Sequence, residues 1–168
     1  MTDEVDSIVE GWATARPDLD FEPLHLLSRI RRLAQILDDR REQAFAEHGL
    51  AAHEFDVLAA LRRTAAGELT PGQLIEATYV TSGTMTNRLD RLEGRALVSR
   101  RAHPEDGRQV LIRLTAQGRR RVDGAIEALL EYESELVQNL AGRDLSTAVK
   151  ALRTLLAAQV PKVDGASG

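Results

Sequence analysis

The stretch from Thr70 to Thr115 constrains the fold of this 168-residue chain more than any other. Its apolar residues first recur every three to four positions, the period of helices, and then cluster in two short β-rich runs. Thr70-Pro71-x-Gln73 is a helix start, with Thr as N-cap, Pro at the first helical position and Gln closing a capping box. That short helix ends near Ala77. Thr81 or Ser82 caps a second helix, which runs to Gly94. At about 100° per residue, Met85, Leu89, Leu92 and Ala96 fall in one narrow arc and face the core. Gly83, Asn87, Asp90, Arg91 and Gly94 lie opposite, with Thr84 on one flank. Leu97–Arg101 and Val110–Leu114 read as paired strands joined through Pro104-Glu105-Asp106-Gly107, in which Asp-Gly is a strong turn dipeptide.

Helix, turn, helix and charged hairpin follow the order of a winged helix-turn-helix, and the charge agrees. From Thr81 to Arg121 ten arginines stand against four acids, in a chain whose net charge is −4. A basic island in an acidic protein is the electrostatic footprint of a local DNA contact. The expected DNA-facing set on the second helix is Ser82, Gly83, Thr84, Thr86, Asn87, Arg88 and Arg91, because Asn and Arg near a helix start can read adenine and guanine edges. Arg88 lies about 60° from the centre of the apolar arc, so it can reach toward DNA or back toward the body. On the hairpin, Arg108 stands where a wing tip enters the minor groove, and Asp106 is spaced to brace it.

The flanks are helical. Val5, Ile8, Val9 and Trp12 place a short helix over 3–15, ended by Pro17. Trp12 anchors that helix to the body and, on a sharper reading, also lines a pocket. Leu24, Leu27, Ile30, Leu37 and Phe45 mark a long helix from Glu22-Pro23 to a C-cap at Gly49, with Arg29, Arg31, Arg32 and Asp38 to Arg41 as its solvated face. A helix over 52–63 buries Phe55, Leu58, Ala59 and Leu61 and carries Asp56 at its edge. Thr115 caps another, with a stripe from Val122 to Leu140, and a last helix after Gly142 carries Leu145, Val149, Leu152, Leu155 and Leu156.

The expected fold is therefore mainly α with a small β-hairpin wing, in one domain over 1–168. Within it, 3–16 form an added N-terminal helix, 51–114 the winged helix-turn-helix, and 22–48 with 115–160 a helical dimerisation region. The flanking helices carry more apolar surface than the central module can cover, which points to a homodimer.

Other chemistry finds no support. The chain has no cysteine, and His25, His48, His53 and His103 are scattered without an i,i+4 pair, so no metal site is expected. A nucleophile elbow, phosphate loop and HExxH motif are all missing, so neither an enzyme nor a cofactor is expected. No apolar run approaches the roughly 18 residues of a membrane span. The acidic start is unlike a signal peptide, making the cytoplasm the default.

Over about residues 20–160 the arrangement resembles the MarR family of winged-helix transcriptional regulators. The motifs are SGTMTNRLDRLEGRALVSR, the wing PEDGR with Asp106 and Arg108, and LTAQG at Leu114–Gly118. The resemblance implies a homodimer on a palindromic operator in double-stranded DNA, usually a repressor relieved by a small molecule. IVEGWATARPDLD further resembles the subgroup responding to urate, whose close relatives resemble regulators of citrate and trans-aconitate metabolism. A small anionic effector is thereby implied, held by Trp12, Asp56, Arg88 and either Arg100 or Arg101. The alternative is a regulator answering another ligand, such as an aromatic compound or a metal, or none.

Overall fold

The computed structural model describes residues 2–104, 106 and 109–159. The chain divides into two compact units, Met1–Leu129 and Leu130–Gly168.

In the first unit, α1 (Glu4–Ala15) starts at Asp3, whose carboxylate accepts the amides of Val5 and Asp6 in a capping box. It lies on α2 (Glu22–Glu47) through the buried Val5 and Val9. Two arginines expected on the solvated face of α2 instead clamp this contact. Arg29 binds Asp3 and Asp6 at 2.8 and 2.6 Å, and Arg32 binds Glu4 at 2.8 Å. The end of α2 is closed by His48 and by Gly49 at φ +66°, where a Cβ would stand 2.3 Å from Arg121 Nη1. That guanidinium donates to the His48 carbonyl, capping the helix.

α3 (Ala52–Arg62), α4 (Pro71–Thr78) and α5 (Ser82–Gly94) follow, and Phe45, Leu58, Leu61, Leu74, Met85 and Leu92 close into one core. The Phe45 and Phe55 rings stack with centroids 3.9 Å apart. Thr70 and Gln73 form the expected capping box, and Thr81 is the residue that caps α5. Met85, Leu89 and Leu92 point inward, but Ala96 does not. It is exposed at φ +54°, because the helix has ended and the chain turns left-handed to enter the sheet.

The sheet has three strands rather than two. β1 (Glu68–Leu69) pairs antiparallel with β3 (Val110–Leu114), which also pairs with β2 (Val98–Ala102), in the order β1-β3-β2. The LTAQG segment fastens this sheet to α6 (Ala116–Val137). Thr115 Oγ1 lies 2.8 and 3.0 Å from the carbonyls of Ala96 and Leu97 and accepts the Gly118 amide at 2.9 Å. A Cβ on Gly118 would sit 2.1 Å from the Leu97 carbonyl oxygen, so the close approach requires glycine.

The second unit holds the end of α6 and α7 (Gly142–Gln159). α7 has no buried residue, and its stripe of Leu145, Val149, Leu152 and Leu156 is exposed along its length. The amino-terminal half of α2 shows a similar face at Leu26, Leu33 and Ile36.

Candidate nucleic-acid interface and effector cavity

The outer face of α5 is built by its inner one. Because Met85, Leu89 and Leu92 are buried, the 3.6-residue period turns Ser82, Gly83, Thr84, Thr86, Asn87, Asp90 and Arg91 to solvent. Arg88 is half-buried at the boundary, as its angular position requires. Two hydroxyls are spent locally: Thr86 donates to the Ser82 carbonyl at 3.1 Å, and Thr84 pairs with the Thr81 hydroxyl at 3.0 Å. Among the described residues Asn87, Arg88 and Arg91 have no polar partner, so their donors are available to a ligand. The Gly83 Cβ position opens to empty space, leaving the first turn free for close approach. The helix dipole favours a phosphate at this same end.

At the wing, Asp106 accepts Gln109 Nε2 at 3.0 Å, and its carbonyl accepts the Gln109 amide at 2.9 Å. Arg108, and with it the expected Asp106–Arg108 brace, lies outside the described residues.

The remaining arginines of the basic island are not equally available. Arg95, just past α5, binds both carboxylate oxygens of Glu54 at 2.6 Å and also the Gly49 carbonyl. Glu54 is buried, which no hydrophobic pattern signals. Burial pushes its carboxyl up, but the Arg95 hydrogen bonds and the Ala51 amide outweigh this and hold it below the usual range. Arg100 binds Asp90 and Glu93 of α5. Arg101 binds Glu68 on β1 and keeps that carboxyl low, with Arg113 3.4 Å away. Glu68 was not among the sequence candidates, since two residues of strand leave no periodicity to read.

The expected effector residues are distributed over separate places. Trp12 stacks on Phe21 with centroids 6.2 Å apart and lines a groove of about 350 Å³ with Leu24, Ser28, Arg31 and Arg32. Asp56 lines a different cavity of about 310 Å³ with Arg41, Arg63, Thr78 and Tyr79. This shares Arg41, Phe55, Ala59 and Arg63 with a cavity of about 550 Å³ floored by Val122, Ile126 and Leu129. Arg88 lines none of these three, while Arg100 and Arg101 are held by the acids just described. Sequence reasoning missed Arg41 and Arg63, which share the cavity with Asp56. Tyr79 sits at the corner between α4 and α5, at φ +53° and 95% exposed. Among the described residues no group of His, Cys, Asp or Glu could hold a metal, and no helix is long and apolar enough to cross a membrane.

Known proteins share this arrangement. A profile of the MarR family matches residues 48–109. The chain is 36% identical over 135 residues to the HTH-type transcriptional regulator PecS of Dickeya dadantii (strain 3937), covering 80% of this chain and 81% of that protein. A cysteine-to-serine mutant of MarR from E. coli, solved in complex with operator DNA, matches with a TM-score of 0.66 at 28% identity, covering 82% of this chain and 99% of that one. BpsR of Bordetella bronchiseptica, whose DNA binding is regulated by 6-hydroxynicotinic acid, matches with a TM-score of 0.63 at 25% identity, covering 77% and 91%. With the capped α5 helix and antiparallel wing in place, the chain belongs to the MarR family of winged-helix transcriptional regulators.

Proposed function

We propose that the protein is a homodimeric repressor that holds a palindromic operator and lets it go when a small planar anion binds. The observation that carries the DNA half is the unpartnered Asn87, Arg88 and Arg91 on the open face of α5. In this reading Ser82, Gly83, Thr84 and Thr86 approach the backbone, Asn87 and Arg91 read base edges, and Asp106 and Arg108 belong to the wing contact. The exposed leucine stripes of α2 and α7 are the surfaces that a second copy covers, and two copies give the operator its two-fold symmetry.

For the effector, Asp56, Arg41 and Arg63 around an apolar floor support an anion with a flat apolar body. BpsR answers to such a molecule, and so does the urate-responsive subgroup. Trp12, Arg88 and Arg100 or Arg101 remain the further contacts implied by that subgroup. Tyr79 borders the cavity two residues before the α5 cap, so occupancy there can act on the recognition helix. A ligand preferring the DNA-incompetent form about 100-fold supplies about 2.7 kcal/mol of coupling, enough to empty an operator.

The test is a mobility shift on the DNA upstream of the gene, with urate, citrate, trans-aconitate and 6-hydroxynicotinate titrated separately while Trp12 fluorescence is followed. At least one anion is expected to release DNA at millimolar concentration or below, and Arg63→Ala to blunt it at least tenfold. A stable shift that no anion disturbs would remove the effector while leaving the DNA reader in place. A shift abolished by competitor DNA would remove operator specificity.

A further inference from the structure

The recognition helix carries two acids into a polyanion. Within α5, Arg88 and Arg91 are matched by Asp90 and Glu93, so the helix has no net charge. Both carboxylates also lie toward the helix C-terminus, where the dipole is already negative. A single side chain answers both. Arg100 donates from Nη2 to Asp90 Oδ1 at 2.6 Å and from Nη1 to Glu93 Oε2 at 2.8 Å. The two acids are three residues apart and therefore adjacent on one helical face, which suits the planar fork of a guanidinium.

Strand alternation explains why Arg100 does this and Arg101 does not. Arg100 is two residues from the buried Val98 and shares its side of β2, the strand that packs on α5. Arg101 leaves from the opposite face and is taken by Glu68. The Arg100 side chain thus spans from the base of the wing to the recognition helix.

We propose that Arg100 is a positioning residue of the DNA reader: it cancels the two acids of α5 and ties the wing to that helix without touching DNA itself. This rests on α5 being the element that enters the groove. Without Arg100, two carboxylates stand within a Debye length of the phosphates, about 10 Å at 0.1 M salt, and the wing loses its fixed angle. All three side chains are more than a third exposed, and exposed ion pairs add little to fold stability, so the effect belongs in DNA affinity rather than in melting.

The experiment uses the full-length protein and its own upstream DNA, with affinity measured across a salt series. Arg100→Gln is expected to weaken binding about tenfold with an unchanged salt slope and an unchanged melting temperature. Adding Asp90→Asn and Glu93→Gln to that variant is expected to recover most of the lost affinity. Arg91→Ala is the reference for a direct contact and should lower the slope by about one. A slope that falls in Arg100→Gln as it does in Arg91→Ala, with no recovery in the triple variant, would mean that Arg100 contacts phosphate, and the proposal is overturned. Unchanged affinity in Arg100→Gln beside a weakened Arg91→Ala overturns the proposal alone. If Arg91→Ala also binds normally, the placement of α5 in the groove is what fails.

Discussion

The two halves of α6 put one amphipathic pattern to opposite uses. Gly118, Val122, Ala125 and Leu129 are buried in the core shared with α3 and α5, whereas Leu130 and Leu136 beyond them are exposed, at 52% and 40%. Their spacing alone does not separate them. An apolar stripe states that a surface must be covered; what covers it depends on which elements of the same chain can reach it. In the first half the sheet meets it at Gly118 and α3 pairs with it through Arg62 and Asp123, and in the second Leu130 and Leu136 stay exposed. The division therefore separates surface completed by folding from surface left exposed, which is where the proposed homodimer would assemble, and it can be probed from both sides.

The largest effect is expected where the chain completes itself. Gly118→Ala drives a Cβ into the Leu97 carbonyl, and backbone cannot step aside as a side-chain tip can. A loss of about 3 kcal/mol in urea unfolding is expected, since β2 and α6 must separate. A change within experimental error would mean that this junction is looser than the 2.1 Å approach indicates.

Next comes the exposed stripe. Val149→Glu combined with Leu152→Glu should leave the single chain folded, because neither side chain is buried, yet raise the dissociation constant of the proposed dimer about 100-fold, or about 2.7 kcal/mol. Sedimentation at micromolar concentration reads this directly. An unchanged mass would move the interface away from α7, and a loss of helical circular dichroism would show that the stripe serves folding after all.

The smallest effect concerns pH and the pair that joins α3 to the end of α5. The Glu54 carboxyl is held below its ordinary value in the folded protein, so its contribution to stability is present above the unfolded value of about 4.3 and is lost as pH falls through the folded one. Glu54→Gln should be about 1 kcal/mol less stable at pH 7, a small figure because Arg95 is part exposed, and the gap should close as pH drops below about 4. A gap of constant size from pH 7 to 3 would assign the loss to packing rather than charge.

How much of this was legible beforehand depended on the range of the interaction involved. The start of α4 was readable because Thr70 and Gln73 satisfy each other's backbone within one turn, and a capping box is a three-residue event. The inward arc of α5 was readable for the same kind of reason, since helical geometry fixes Met85, Leu89 and Leu92 on one side once the helix exists. From that arc the outward Asn87 and Arg91 and the boundary position of Arg88 follow directly. Ala96 was misplaced only because the periodicity was continued past the point where the helix stops.

The destinations of the charged side chains belong to the other category. Alternation could place Arg100 and Arg101 on opposite faces of a strand, yet it could not say that Asp90 and Glu93 wait on one side and Glu68 on the other. Nothing in its local sequence marks Glu54 as buried, because the partner that makes burial possible, Arg95, stands 41 residues away. Likewise Trp12 and Asp56 line separate cavities, and no spacing along the chain could have told which arginines would join either. The sequence by itself determined the helices, the wing and the outward polar face of α5, because those rest on periodicity and on hydrogen bonds closed within a few residues. Only the tertiary structure decided which of the described arginines are spent on partners inside the chain and which are left open to solvent, because ion pairs form through space between segments whose separation in sequence carries no information about their distance.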